Sequence, residues 1–349
     1  MRKALFLAVP FLLAPLGCGS STPEPMPPPP PVASAPPPVV ETPPPPHEPT
    51  AEEKQKAAAA KELAEDRAKM EEDTKAENAR WSPELHKEAK DLAAKKYATA
   101  KAGITAAMKG HHRAPGHADR DKFRHPVETL EFFGMTPTMS VLEYGPGEGW
   151  FTELLAPTLA AKGKLTVTAS DPNGPADQRS TYYGERLKRF LDRAPEVYGG
   201  VDRIVYDARK PSLGVENKFD LIVVARAMHG MAREKILAPV LADFFKALKP
   251  GGVLGVEQHR AKEGANMEES AKMGYLPEAW LIKEIEAAGF KLEKKSEINA
   301  NPKDTKDYAE GVWTLPPSLA LKDKDRQRYV DIGESDRMTL KFVKPKTKK

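Results

Sequence analysis

The chain has 349 residues, enough for one large domain or two small ones, and its 54 basic and 50 acidic side chains nearly cancel to a net charge of +4. That balance excludes the strongly basic face that nucleic-acid binding requires, and the basic end Lys344-Pro-Lys-Thr-Lys-Lys349 reads as a solvated tail. The 34 prolines crowd toward the N-terminus, so the foldable part is shorter than the chain, and one cysteine, Cys18, rules out an internal disulfide.

Residues 1–18 read as an export signal. Arg2 and Lys3 give a positive start, 4–16 an apolar run, and Gly17 a small residue before Cys18. The run is too short to span a bilayer as a permanent helix. A cysteine closing such a segment resembles the lipobox of bacterial lipoproteins, although Pro15 stands where leucine is usual. The resemblance implies a diacylglyceryl group on Cys18 and, with Gly19 rather than aspartate next, an outer-membrane protein facing the periplasm. Residues 19–50 are dominated by Pro, a composition that cannot bury a core and favours polyproline II. Extended, this linker would reach on the order of 100 Å.

Residues 51–110 read as a charged helical spacer followed by an N-terminal helix. The Ala-rich run 57–66 has high helix propensity. Leu63 and Met70 alone make no broad apolar stripe, so the spacer is expected to stand in solvent. Ser82 and Pro83 then form a helix start, with Leu85, Ala89, Leu92, Ala93 and Tyr97 at helical spacing. His111, His112 and His117 read as a solvated loop, not a metal site.

Residues 111–349 form the main domain, in which strands and helices alternate. Strands are expected at 140–144, 164–169, 203–206, 219–225 and 253–257, with helices at 150–161, 183–194, 233–248 and 277–288 between and after them. Two late strands, 290–298 and 338–343, are separated by a loop-rich insert. The alternation predicts an α/β, doubly wound parallel sheet. The final pair has no helix long enough for a crossover and is therefore expected to be antiparallel.

The most informative segment is Val141-Leu-Glu-Tyr-Gly-Pro-Gly-Glu-Gly149, a strand running into a glycine-spaced loop and a helix. Glycine serves where the backbone turns sharply and a ligand must approach closely. The spacing Gly145, Gly147, Gly149 differs from the dinucleotide fingerprint, in which the third glycine comes one residue later, and this disfavours a dehydrogenase. It resembles the first motif of class I S-adenosylmethionine-dependent methyltransferases, over roughly residues 118–345. The group most similar is a set of uncharacterised bacterial predicted methyltransferases, through Arg124-His-Pro-Val-Glu128, Phe132-Phe-Gly134, Leu155-Ala-Pro157 and Val312-Trp-Thr-Leu-Pro-Pro317. The resemblance implies a Rossmann-like sheet of seven strands with the last antiparallel, and S-adenosylmethionine as cofactor.

On that reading Glu143 and the loop hold the methionyl part of the cofactor. Asp171, just past the second strand, accepts from the ribose hydroxyls, and Asp207 receives the adenine amino group. Asp220, at the start of its strand, is expected to be structural. Past the fourth and fifth strands, His229 and His259 face the acceptor and are candidate proton acceptors. A zinc site built on them with Glu257 lacks tight ligand spacing. The expected function is methyl transfer to an unidentified acceptor by an exported, lipid-anchored enzyme. The rival is a non-catalytic envelope protein that retains the fold, because S-adenosylmethionine is made in the cytoplasm.

Overall fold

The computed structural model describes Met26 and residues 49–346. The export signal, Cys18 and nearly all of the Pro-rich linker lie outside the described residues. Among the described residues no helix is long and apolar enough to cross a membrane.

The apolar runs form seven strands: β1 (Ser140–Tyr144), β2 (Lys164–Ala169), β3 (Asp202–Val205), β4 (Phe219–Ala225), β5 (Leu248–His259), β6 (Lys291–Ser296) and β7 (Arg337–Val343). They make one sheet in the order β3-β2-β1-β4-β5-β7-β6. The first five pair in parallel, and β7 runs antiparallel between β5 and β6. The expected Rossmann-like arrangement with an antiparallel last strand is therefore present. Strand order reverses between β1 and β4, which opens a crevice beyond their carboxyl ends.

Thirteen α-helices precede and flank the sheet among the described residues. They are α1 (Ala51–Arg80), α2 (Pro83–Ala94), α3 (Ala100–Met108), α4 (Asp121–Arg124), α5 (Pro126–Phe133), α6 (Thr152–Leu159) and α7 (Arg179–Asp192), then α8 (Pro195–Tyr198), α9 (Met228–Arg233), α10 (Leu237–Ala247), α11 (Met267–Lys272), α12 (Glu278–Ala287) and α13 (Arg326–Ile332). Successive strand residues point to opposite faces, so Val141 and Leu142 enter different cores. Val141, Val167 and Leu221 pack with Ile104, Phe133, Leu154 and Leu155, whereas Leu142, Ile222 and Val224 pack with Phe244, Leu281 and Phe342.

Three expectations need correction. The single helix expected at 233–248 is two, α9 and α10, because Lys235 between them adopts a left-handed conformation (φ 58°). The boundary expected at residue 110 is not a break in packing. Trp81, Leu85, Ala89 and Ile104 belong to the same core as β1, and residues 51–349 form one unit. Finally, α1 is docked. Leu63 and Met70, seven residues apart on one face, close over Tyr182 of α7. Ion pairs flank them: Arg67–Glu185 at 2.7 Å, Arg193–Glu77 at 2.5 Å, and the partners Arg179–Asp66 and Arg189–Glu71. A helix can dock through charge where its apolar stripe is narrow.

Candidate functional site

β1 ends at Tyr144, and the loop to α6 turns on glycines 145, 147 and 149, with φ of 62°, 59° and 83°. They do different jobs. A Cβ on Gly145 or Gly147 would meet nothing within 4 Å, so their backbone faces open space. A Cβ on Gly149 would stand 2.6 Å from the Phe190 ring, so that glycine lets α7 approach the loop. The Gly145 amide donates to Thr168 Oγ1 at 2.8 Å and ties the loop to β2. The amides of Gly147 and Glu148 have no acceptor among the described residues, leaving two donors for an anionic group.

Register brings the acids to this loop. β1 pairs Glu143 with Val167, and β2 pairs Ala169 with Val205, so Asp171 and Asp207 both emerge at the carboxyl edge beside the glycines. Both are exposed. Each spends one carboxylate oxygen on its own turn: Asp171 Oδ1 accepts from the Asn173 amide and Asp207 Oδ1 from the Arg209 amide, both at 2.9 Å. Their Oδ2 atoms have no hydrogen-bond partner among the described residues.

Glu143 sits differently from the expectation. It is only 4% exposed and accepts from Thr152 Oγ1 at 2.6 Å. Its carboxyl braces the loop from beneath, and burial pushes it up to about 7 despite the Thr152 bond. Asp220 is structural: at the opposite end of β4 it accepts from the Ser140 amide and from Lys249. His112 and His117 correct the solvated-loop reading. Both are buried, His112 Nε2 against the Glu153 carbonyl and His117 Nδ1 against the Glu153 carboxylate, each at 2.8 Å. Trp150 is a core residue whose Nε1 donates to the His117 carbonyl.

The acceptor side of the crevice is lined with charge. Arg124 donates to Glu334 (2.9 Å), Glu334 accepts from Arg337 (2.6 Å), Arg337 pairs with Glu257 (3.1 Å), and Glu257 meets Arg226 (3.1 Å). Arg337 is 1% exposed and Arg226 20%. Burial pushes the Glu334 carboxyl up, but the guanidinium groups of Arg337 and Arg124 outweigh it and hold it at about 2. Burial, reinforced by the neighbouring Arg226, lowers Arg124 to about 9. Beside this chain His229 lies 5.8 Å from Trp313 and 5.7 Å from His259, ring to ring.

Both imidazoles are neutral at physiological pH. Burial, then Arg233, lowers His229 to about 4, and burial with the nearby cations lowers His259 further. Gln258 Oε1 accepts from the Met228 amide, which turns its NH2 toward His229 Nδ1 at 3.3 Å. That nitrogen must then be the acceptor and Nε2 must carry the proton. His229 therefore offers a donor, against the expectation of a base. His259 Nδ1 is occupied by Ser335 Oγ at 2.5 Å. Among the described residues no three His, Cys, Asp or Glu side chains are grouped to hold a metal ion.

A profile of the family described as "Methyltransferase domain" matches residues 105–295. The chain belongs to the methyltransferase domain family. Sterol 24-C-methyltransferase of Yarrowia lipolytica is 24% identical over 231 residues, covering 62% of this chain and 54% of that protein. The chain thus spans about half the length of that curated relative. Among solved structures, the [4+2]-cyclase SpnF is similar at a TM-score of 0.47 and 17% identity, covering 68% of this chain and 86% of the cyclase. N-methyltransferase NodS of Bradyrhizobium japonicum, in complex with S-adenosyl-L-homocysteine, is similar at a TM-score of 0.41 and 16% identity, covering 71% of this methyltransferase-family chain and all of NodS.

Sequence reasoning missed Arg124, Glu334, Arg337 and Trp313 as parts of this site. The lone arginine opening the apolar strand β7 was the available signal, since a charge is kept in a buried strand only with partners.

Proposed function

We propose that the chain binds S-adenosylmethionine over the glycine loop and transfers its methyl group to an acceptor held near Arg226 and His229. The supporting observation is the open surface over Gly145 and Gly147, with two free amides on one side and the unpartnered Asp171 Oδ2 on the other. The amides suit the methionyl carboxylate, Asp171 the ribose hydroxyls and Asp207 the adenine amino group. The sulfonium is already a strong electrophile, so the protein's contribution is alignment and exclusion of water. The acceptor's proton can leave to solvent, consistent with neutral histidines that are poor bases. The protein is exported and held in the envelope, facing the periplasm, by a lipid on Cys18.

Titration of the full chain with S-adenosylhomocysteine tests the cofactor site. Affinity near micromolar is expected, weakened at least about tenfold in Asp171→Ala and Gly147→Arg. No heat with the wild-type chain would sink the cofactor reading. Normal maturation of a Cys18→Ser precursor would sink lipidation.

A further inference from the structure

The chain of charges at the carboxyl ends of β4 and β5 begins and ends on arginine: Arg124, Arg226 and Arg337 alternate with Glu257 and Glu334. It therefore carries one positive charge more than it balances. Glu143, beneath the loop, is half-ionised at neutral pH and committed to Thr152. Glu153 is taken by His117 and the Ala114 amide. The surplus sits at the open end. Arg226 uses Nη1 for both Glu257 oxygens, at 3.1 and 3.2 Å, while its Nε and Nη2 have no hydrogen-bond partner among the described residues. The Arg226 backbone is held left-handed (φ 57°), with its amide donating to the Glu257 carbonyl at 2.7 Å, so the side chain springs from a fixed point. Next to it His229 presents Nε2–H, also unpartnered among the described residues, and the Trp313 ring stands edge-on to His229.

Two adjacent guanidinium donors and an imidazole N–H match the geometry of an oxyanion, and the tryptophan supplies a flat apolar wall. We propose that the methyl acceptor carries a carboxylate or phosphate group gripped by Arg226 and His229, attached to an aromatic or apolar body that lies on Trp313. The proposal rests on the cofactor reading above for the identity of the bound molecule as acceptor, but not for the existence of the anion site.

The test is isothermal titration of the full chain, saturated with S-adenosylhomocysteine, using benzoate, phenyl phosphate and the neutral benzamide. One or both anions should bind at least about tenfold more tightly than benzamide, and the stronger of the two names the headgroup. Arg226→Gln should abolish the difference, Arg226→Lys should restore part of it, and both should keep their affinity for S-adenosylhomocysteine. Equal binding of benzoate, phenyl phosphate and benzamide would overturn the proposal, as would no anion binding to a chain that takes up S-adenosylhomocysteine. A tenfold loss of S-adenosylhomocysteine affinity in Arg226→Gln would assign Arg226 to the cofactor carboxylate and equally overturn it. If S-adenosylhomocysteine does not bind at all, the cofactor reading falls, and the anion titrations on the unsaturated chain still decide this one.

Discussion

Two regions of this molecule are held by arginine–carboxylate pairs, yet they teach opposite lessons. Along the seam between α1 and α7 the pairs are open to solvent: the Arg67 and Glu185 side chains are each about a quarter exposed. At the strand ends, Arg124, Glu334, Arg337 and Glu257 are almost fully removed from water. Exposed pairs are screened and weak, and their use here is to seat a helix that has only Leu63 and Met70 to bury. Buried pairs are strong only as a complete set, because each charge left without a partner retains its full desolvation penalty.

The largest expected effect comes from breaking the buried set. Glu334→Ala strands Arg124 and Arg337 together and should cost about 3–5 kcal/mol in urea unfolding at neutral pH. A loss below about 1 kcal/mol would show that the strand-end chain behaves like the seam.

Acidity sharpens the contrast within the buried region. Glu334 has a folded value near 2, below its unfolded one, so its stabilisation is present above the ordinary carboxylate range and lost as pH falls toward 2. Glu143, raised to about 7, works the other way: the unfolded chain ionises first, and stability drains as pH rises from about 4.5 to 7. Glu143→Gln keeps an acceptor for Thr152 and should raise stability at pH 7–8 by up to about 3 kcal/mol, flattening that slope. A melting temperature that stays parallel to wild type from pH 5 to 8 would reject this.

The smallest effects belong to the seam. Arg193→Ala, which removes the Glu77 partner, should cost less than about 1 kcal/mol globally. Raising salt to about 1 M, where screening acts within about 3 Å, should speed amide exchange in α1 while leaving β4 protected. Equal acceleration in both would mean the seam is as integral as the core.

Local chemistry made much of the fold legible. β1, β2 and β4 begin and end where their apolar, β-branched runs do. The glycine loop was visible because turning a chain tightly beside a ligand requires glycine at particular steps, a requirement written in consecutive residues. The division of labour among those glycines was not, since Gly149 answers to Phe190 on a distant helix. His112 and His117 looked solvated because nothing nearby in sequence reveals Glu153, their shared partner. Membership of α1 in the folded body was hidden for the same reason: its pairing partners lie more than a hundred residues away.

By itself, then, the amino-acid order determined the strand-and-helix alternation, the cofactor loop and the acids that follow it, because periodicity and turn chemistry act over a few neighbouring residues. Only the tertiary structure decided which charges meet, that His229 offers a proton and not a lone pair, and that Arg226 ends the chain of charges with donors to spare. Burial and electrostatic partnership depend on distance in space, and residues 124, 226, 257, 334 and 337 share no spacing from which their meeting could be read.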